Sequence, residues 1–158
     1  MKLTSVLEDS LLIIAGPTAS GKTAVGIALA AQLNGEIISV DSRQIFRYMN
    51  IGTAKPTSVE RSEATHHLVD IVDPDQSYNA GQFAKDAARI IHDIQGRNRV
   101  PILVGGSGFY LEALIHGFSP IPEIPEQIRR ELKIKAESSL PELFARLGEV
   151  DPVLAERL

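Results

Sequence analysis

The chain contains no cysteine, which excludes a disulfide framework and fits a reducing compartment. It has no run of about 18 apolar residues, so no membrane-spanning helix is expected. Its first apolar run follows Glu8 and Asp9 rather than a basic start, which is not the layout of a signal peptide, and a cytoplasmic location is expected. An excess of positive charge is missing as well. Lys and Arg number 16 against 20 Asp and Glu, for a formal net charge of −4. That total gives no support to a general basic face for nucleic acid, although it leaves room for a local one.

What is present suffices for a folded core. The 158 residues suggest about one domain, with 44% hydrophobic and 23% charged residues. Four short apolar runs read as strands: Leu11–Ala15, Glu36–Val40, His67–Val72 and Val100–Val104. They do not alternate apolar with polar, which suits strands of a parallel sheet buried on both faces. Helical patterns separate them. Val25, Ala28, Leu29 and Leu33 fall on one helical face, and so do Phe83, Ala87, Ile90, Ile91 and Ile94. Asn79, with Gln82 three residues on, is expected to cap the second of these helices. The alternation predicts an α/β fold with an open parallel sheet and helices on both faces.

Near Gly117 the pattern changes. GFSPIPEIPE holds Pro120, Pro122 and Pro125 and reads as a boundary, with only helical patterning beyond it. Ser139 and Glu142 have the spacing of a capping box, and Asp151 followed by Pro152 reads as a further cap. The expected organisation is a core domain over 1–118 and the beginning of a helical domain over 119–158. The last helix has barely begun at Leu158, and the chain is expected to be a portion of a longer protein.

The strongest local signal is GPTASGKT, from Gly16 to Thr23, with the spacing G-x-x-x-x-G-K-[ST]. It follows an apolar strand and opens a helix, the context that a phosphate-binding P-loop requires. In this reading Gly16, Pro17, Thr18, Ala19, Ser20 and Gly21 curl the backbone so that its N–H groups surround phosphate oxygens. The helix N-terminus adds partial positive charge. Lys22 adds a full charge, and the Thr23 hydroxyl is placed to bind Mg²⁺. Alone, such a loop says phosphate and leaves the reaction open.

The second strand ends in Asp41-Ser42-Arg43-Gln44. Ligands in open α/β sheets sit beyond the carboxyl ends of the strands, so Asp41 is expected beside the P-loop. A carboxylate there serves as a general base, as a metal ligand or as a helix cap. Ser107, in the glycine-rich turn after the fourth strand, suits ligand contact or helix capping. Thr53 and Lys55 suit phosphate contact or an exposed loop. His66 and His67 are adjacent, but companions for a zinc site are wanting. Phe46, Tyr48 and Phe109 suit packing or the lining of a channel.

Taken together, GPTASGKT, DSRQIFRYMNIGTAKP, HHLVDIVDP and PILVGGSGFYLEALIHG, in that order and spacing, closely resemble the tRNA dimethylallyltransferases, also called tRNA isopentenyltransferases. The resemblance is dense from residue 11 to about 118 and looser to 158. It implies transfer of a dimethylallyl group from dimethylallyl diphosphate to N6 of the adenosine 3′ of the anticodon, in tRNAs reading codons that begin with U. The P-loop would then hold a diphosphate leaving group. Asp41 would be the base toward the N6 proton, with Lys22 and Thr23 assisting catalysis. Ser42, Arg43 and Gln44 would belong to the segment gripping the flipped adenine and its backbone. Ser107 would contact tRNA, standing where the family usually has threonine and keeping the hydroxyl. Arg129 would approach tRNA from the helical part. Three alternatives stay open at this point: a small-molecule or nucleotide kinase, an adenylate isopentenyltransferase, and a phosphate-binding fragment without activity.

Overall fold

The structure, a computed structural model, describes residues 11–117 and 124–158. The expected boundary prolines Pro120 and Pro122, like the segment carrying Glu8 and Asp9, lie outside the described residues. The chain divides into two compact units, 1–118 and 119–158.

The first unit is built on a four-stranded sheet of β1 (Leu12–Ala15), β2 (Gly35–Val40), β3 (His66–His67) and β4 (Val100–Gly105). The order is β1-β4-β2-β3 and every pairing is parallel. Consecutive strands that run parallel in one sheet need crossover connections. These are supplied by α1 (Lys22–Leu33) between β1 and β2, and by α3 (Ala80–Gly96) between β3 and β4. A short helix, α2 (Ser58–Glu63), precedes β3, and α4 (Gly108–His116) follows β4.

Side chains on a strand alternate between faces, and the core follows that alternation. Ile37, Val100, Ile102 and Val104 pack with Ile27, Ala30 and Leu33 of α1 on one face. Ile38, Val40 and Leu103 pack on the other with Phe83, Ala87 and Ile94 of α3 and with Tyr110 and Ala113 of α4. The central strands β2 and β4 are therefore covered on both sides, as their continuous apolar runs predict. In β1 the burial alternates instead, with Ile13 41% exposed, because β1 stands at the edge of the described sheet.

Two expectations need correction. The face that α1 buries is Gly26, Ile27, Ala30 and Leu33, while Val25 is 50% exposed and Ala28 also faces outward. The reason is close approach: a Cβ on Gly26 would lie 2.8 Å from Val104 Cγ2. The helix turns its least bulky side to the sheet, and the apolar count around it does not reveal this.

The run His67–Val72 is not a strand beyond His67. Leu68 and Asp70 take left-handed φ values of 58° and 57°, which end the ladder. Leu68, Val69 and Val72 are buried, so the apolar run reports core packing rather than extended pairing. Val72 returns to the parallel direction only as an isolated bridge to Phe46.

Helix ends follow local chemistry more faithfully. Asn79 accepts from Gln82 N at 3.0 Å while Gln82 Oε1 accepts from Asn79 N at 3.0 Å, closing a reciprocal cap. The second unit holds α5 (Glu126–Val150) and α6 (Pro152–Ala155). Non-helical geometry at Ser139, two residues before Pro141, breaks α5 into two stretches. Asp151 Oδ1 accepts from Leu154 N at 3.0 Å and caps α6.

Candidate functional site

Three strands of one parallel sheet end at the same rim, and the connections that leave them build the site. After β1 the backbone curls through Gly16–Gly21, with Ala19 at φ 64° and Gly21 at φ 83°. Left-handed geometry at Gly21 carries no Cβ penalty. Here it turns the chain into α1 with no side-chain cap, so the first N–H groups of α1 stay available to a ligand. Ser20 Oγ donates to Pro17 O at 2.8 Å, and Lys22 Nζ donates to the same carbonyl, so the loop is closed on itself.

After β2 comes Asp41. Its Oδ1 accepts from Arg43 N at 2.8 Å and Gln44 N at 3.2 Å, forming a tight turn that fixes the carboxylate. No hydrogen bond within the described residues engages Oδ2. After β4 comes Ser107, whose Oγ accepts from Ser42 N at 3.0 Å, while Ser107 N donates to Val40 O at 3.2 Å. Ser107 therefore does not cap α4 with its side chain; it ties the end of β4 to the end of β2.

These connections enclose a cavity of about 740 Å³. Its lining includes all of Gly16–Thr23, then Asp41, Ser42, Arg43 and Gln44, and Ser107. The candidates Gly16–Thr23, Asp41–Gln44 and Ser107 are thus brought to one hollow, whereas Phe46, Tyr48, Lys55, His67 and Phe109 do not line it. Arg129 is exposed on α5 in the second unit.

The lining also contains residues that the sequence did not point to. Ser39, Gly52, Ala54, Pro56 and Glu60 contribute, beside Thr53 and His66. Gln44 explains part of this. Its amide nitrogen donates to Thr53 O at 3.2 Å and Ala54 O at 2.9 Å, and its Oε1 accepts from Ser39 Oγ at 2.9 Å. One carboxamide thereby joins the strand, the Asp41 turn and the loop through Ala54. No local spacing encodes that link.

Thr53 and Lys55 are neither exposed nor turned to a ligand. Thr53 is buried, with its hydroxyl donating to Met49 O at 2.7 Å, and the Lys55 side chain is only 6% exposed. His66 and His67 serve separate bonds. His67 Nε2 meets Glu36 Oε2 at 2.7 Å, and His66 Nδ1 meets Ala64 O at 2.8 Å. The partner of His66 is a carbonyl, so Nδ1 carries the proton. Burial holds the His66 pKa below its ordinary value, keeping the ring neutral. Tyr48 and Phe109, read as packing or channel residues, are exposed within the first unit.

Among the described residues no group of three or more His, Cys, Asp and Glu side chains is arranged to hold a metal. Oxygen donors that line the cavity include the Thr23 hydroxyl and the Asp41 and Glu60 carboxylates. Hard oxygen donors suit Mg²⁺, which keeps several waters and takes one or two protein oxygens beside phosphate.

Fold and site together define a P-loop α/β protein with the P-loop and a carboxylate on one cavity. Comparison with known proteins narrows the class. A family model described as IPP transferase matches residues 44–158. The chain is 49% identical over 150 residues to tRNA dimethylallyltransferase 1 of Syntrophotalea carbinolica, covering 94% of this chain and 48% of that one. It is 50% identical over 148 residues to the tRNA dimethylallyltransferase of Stenotrophomonas maltophilia, covering 93% and 47%. Among solved structures, the full-length tRNA isopentenylpyrophosphate transferase of Bacillus halodurans is 43% identical with a TM-score of 0.68, covering 94% of this chain and 50% of that one. A eukaryotic dimethylallyltransferase acting on tRNA is 31% identical with a TM-score of 0.77, covering 94% and 37%. The chain belongs to the IPP transferase family, and it spans about half the length of the curated relatives it matches.

Proposed function

We propose that this chain carries the reaction centre of a tRNA dimethylallyltransferase, moving a dimethylallyl group from dimethylallyl diphosphate to N6 of the adenosine 3′ of the anticodon in tRNAs reading codons that begin with U. The observation that carries the reading is the shared cavity. A P-loop cradle and the fixed carboxylate of Asp41 line one hollow of about 740 Å³. A kinase needs the cradle. It would share the acidic strand end as well, but it does not explain the DSRQ and GTAKP strings.

The chemistry follows from charge. Breaking the C1–O bond of the prenyl diphosphate leaves negative charge on the diphosphate. Backbone N–H groups of the Gly16–Thr23 segment, held by the fold, and the Lys22 ammonium stabilise that charge as it develops. Lys22 exchanges its bond to Pro17 O for one to phosphate. The Thr23 hydroxyl would hold Mg²⁺, which when bound supplies further positive charge against the leaving group.

N6 of adenine is a poor nucleophile, because its lone pair is conjugated with the ring. It attacks C1 while the free Asp41 oxygen accepts its proton, an effect worth about 10²- to 10⁴-fold. The base must leave its stack to reach the cavity. Ser42, Arg43 and Ser107 are then positioned to contact the extruded nucleotide, and Arg129 on α5 is available to the RNA backbone. Substrates of this kind carry with them a cytoplasmic location.

The test is prenyl transfer. With dimethylallyl diphosphate and Mg²⁺, an anticodon stem-loop RNA is expected to gain one dimethylallyl group on its adenosine, and AMP none. Product from AMP alone would assign the adenylate type, and ATP turnover without prenyl transfer would assign a kinase. Diphosphate binding with no transfer to RNA would identify a fragment that retains only the cradle.

A further inference from the structure

Residues 41–57, between β2 and α2, form no regular element, yet Gly52, Thr53, Ala54 and Pro56 make one wall of the cavity. Tyr48 and Ala54 take left-handed φ values of 64° and 48°, so the loop is held in a shape it would not adopt freely. Something must over-determine it. Lys55 does so from inside. Its Nζ donates to Phe46 O at 2.6 Å, to Asn50 Oδ1 at 3.1 Å and to Asp70 Oδ1 at 2.6 Å. An ammonium has three protons, and all three are used. None is left for a phosphate.

Asp70 closes the circuit. Its Oδ2 receives Arg61 Nη2 at 2.5 Å, and its backbone N–H donates to Gln44 O at 3.1 Å. Burial raises the Asp70 carboxyl, but hydrogen bonds from Lys55 and Arg61 outweigh it and hold the pKa below its usual value. Gln44 returns to the loop through Thr53 O and Ala54 O. Residues 44, 54, 55 and 70 therefore constrain one another in a ring. The P-loop contributes no member to it.

We propose that Lys55 and Asp70 form a positioning clasp that sets the wall of the cavity on the RNA side, governing RNA recognition while leaving the diphosphate end untouched. This rests on the prenyltransferase reading above. The ring reaches the Asp41–Gln44 segment through Gln44 alone. Asp41 itself is fixed by its own turn and Ser42 by Ser107, so losing the clasp displaces the loop before it displaces the base.

The test uses the full-length protein carrying Lys55→Met or Asp70→Asn, with pyrophosphate as the probe for the cradle and an anticodon stem-loop as the probe for the RNA side. Lys55→Met is expected to raise the stem-loop KM and Kd about tenfold or more, as small displacements of positioning groups do, with pyrophosphate affinity unchanged. Asp70→Asn is expected to show the same split to a smaller degree. Equal weakening of both ligands, or unchanged stem-loop affinity with only a lowered melting temperature, would overturn the clasp. If Lys55→Met does not fold, Asn50→Ala removes one acceptor and must still weaken RNA alone. A wild-type protein that binds pyrophosphate but transfers nothing to RNA fails the functional reading itself, and the clasp falls with it.

Discussion

The hydroxyl of Ser107 accepts the backbone N–H of Ser42 at 3.0 Å, across 65 residues of sequence. This bond joins the ends of β4 and β2 at the mouth of the cavity. Its acceptor role leaves the Ser107 proton free to donate. Ser107→Ala removes both functions. The expected result is a stability loss of about 1 kcal/mol and weaker transfer to RNA, with Ser107→Thr retaining most activity. Equal activity in Ser107→Ala and wild type would remove Ser107 from the site.

Asp41→Asn keeps an oxygen that can accept from Arg43 N and Gln44 N, so the turn survives. It removes the proton acceptor. Single-turnover transfer is expected to slow by about 10²- to 10⁴-fold, with pyrophosphate affinity close to wild type. An unchanged rate would show that the proton leaves by another route.

Lys22→Met removes the one full charge of the cradle, in a side chain whose hydrogen bond is to Pro17 O. Stability should scarcely move. Calorimetric titration should show pyrophosphate binding weakened about ten- to a hundredfold, as for a lost charge-assisted hydrogen bond. Binding that survives intact would place the phosphate elsewhere.

Gly105→Ala tests how close β4 lies to β2. A Cβ at this position would stand 2.1 Å from Val40 O, which is backbone and cannot step aside. A loss of about 3 kcal/mol or more is expected in urea unfolding. Gly26→Ala meets only the Val104 side chain at 2.8 Å and should cost less. The reverse ranking would contradict the register Val40↔Gly105.

Glu36 sets the acid limit. It is 2% exposed and receives Arg97 through a bidentate pair, Arg99 at 2.8 Å and His67 at 2.7 Å. The Arg97 hydrogen bonds, opposed by burial and aided by His67 and Arg99, hold its pKa down at about 2 against 4.5. A depressed folded pKa means that the stabilisation is complete above the unfolded value. It is lost as pH falls from about 4.5 toward 2. The contribution is on the order of 3 kcal/mol before solvent screening of the half-exposed arginines. Urea midpoints measured across this window should fall steeply for wild type and more gently for Glu36→Gln. Parallel slopes would assign the acid transition to other carboxylates.

Local patterns carried much of the fold. Continuous apolar runs located β1, β2 and β4 to within a residue at each end, and β2 and β4 do not alternate because both their faces are covered. Asn79 with Gln82, and Asp151 with Pro152, marked helix starts because a cap is satisfied by residues three positions away. The run His67–Val72 misled for the complementary reason. Its apolar side chains are buried, but Leu68 and Asp70 turn the backbone out of the ladder, and the ion pairs that hold Asp70 come from Lys55 and Arg61. Lys55 misled in the same way, since a lysine in a loop carries no local sign of the three acceptors that gather round it.

The sequence by itself determined that GPTASGKT forms a P-loop turn. Its glycines, its lysine and its place between strand and helix are set by chain neighbours, and neighbours suffice to fix a turn. Only the tertiary structure decided what surrounds that turn. The buried face of α1 depends on the approach of Gly26 to Val104. The carboxylate of Asp41 shares its cavity because β1, β4 and β2 pair in parallel and end at one rim. Lys55 turns inward because Asp70 is there to receive it. Each of these is a contact between residues far apart in the chain, and such contacts exist only once the sheet has assembled.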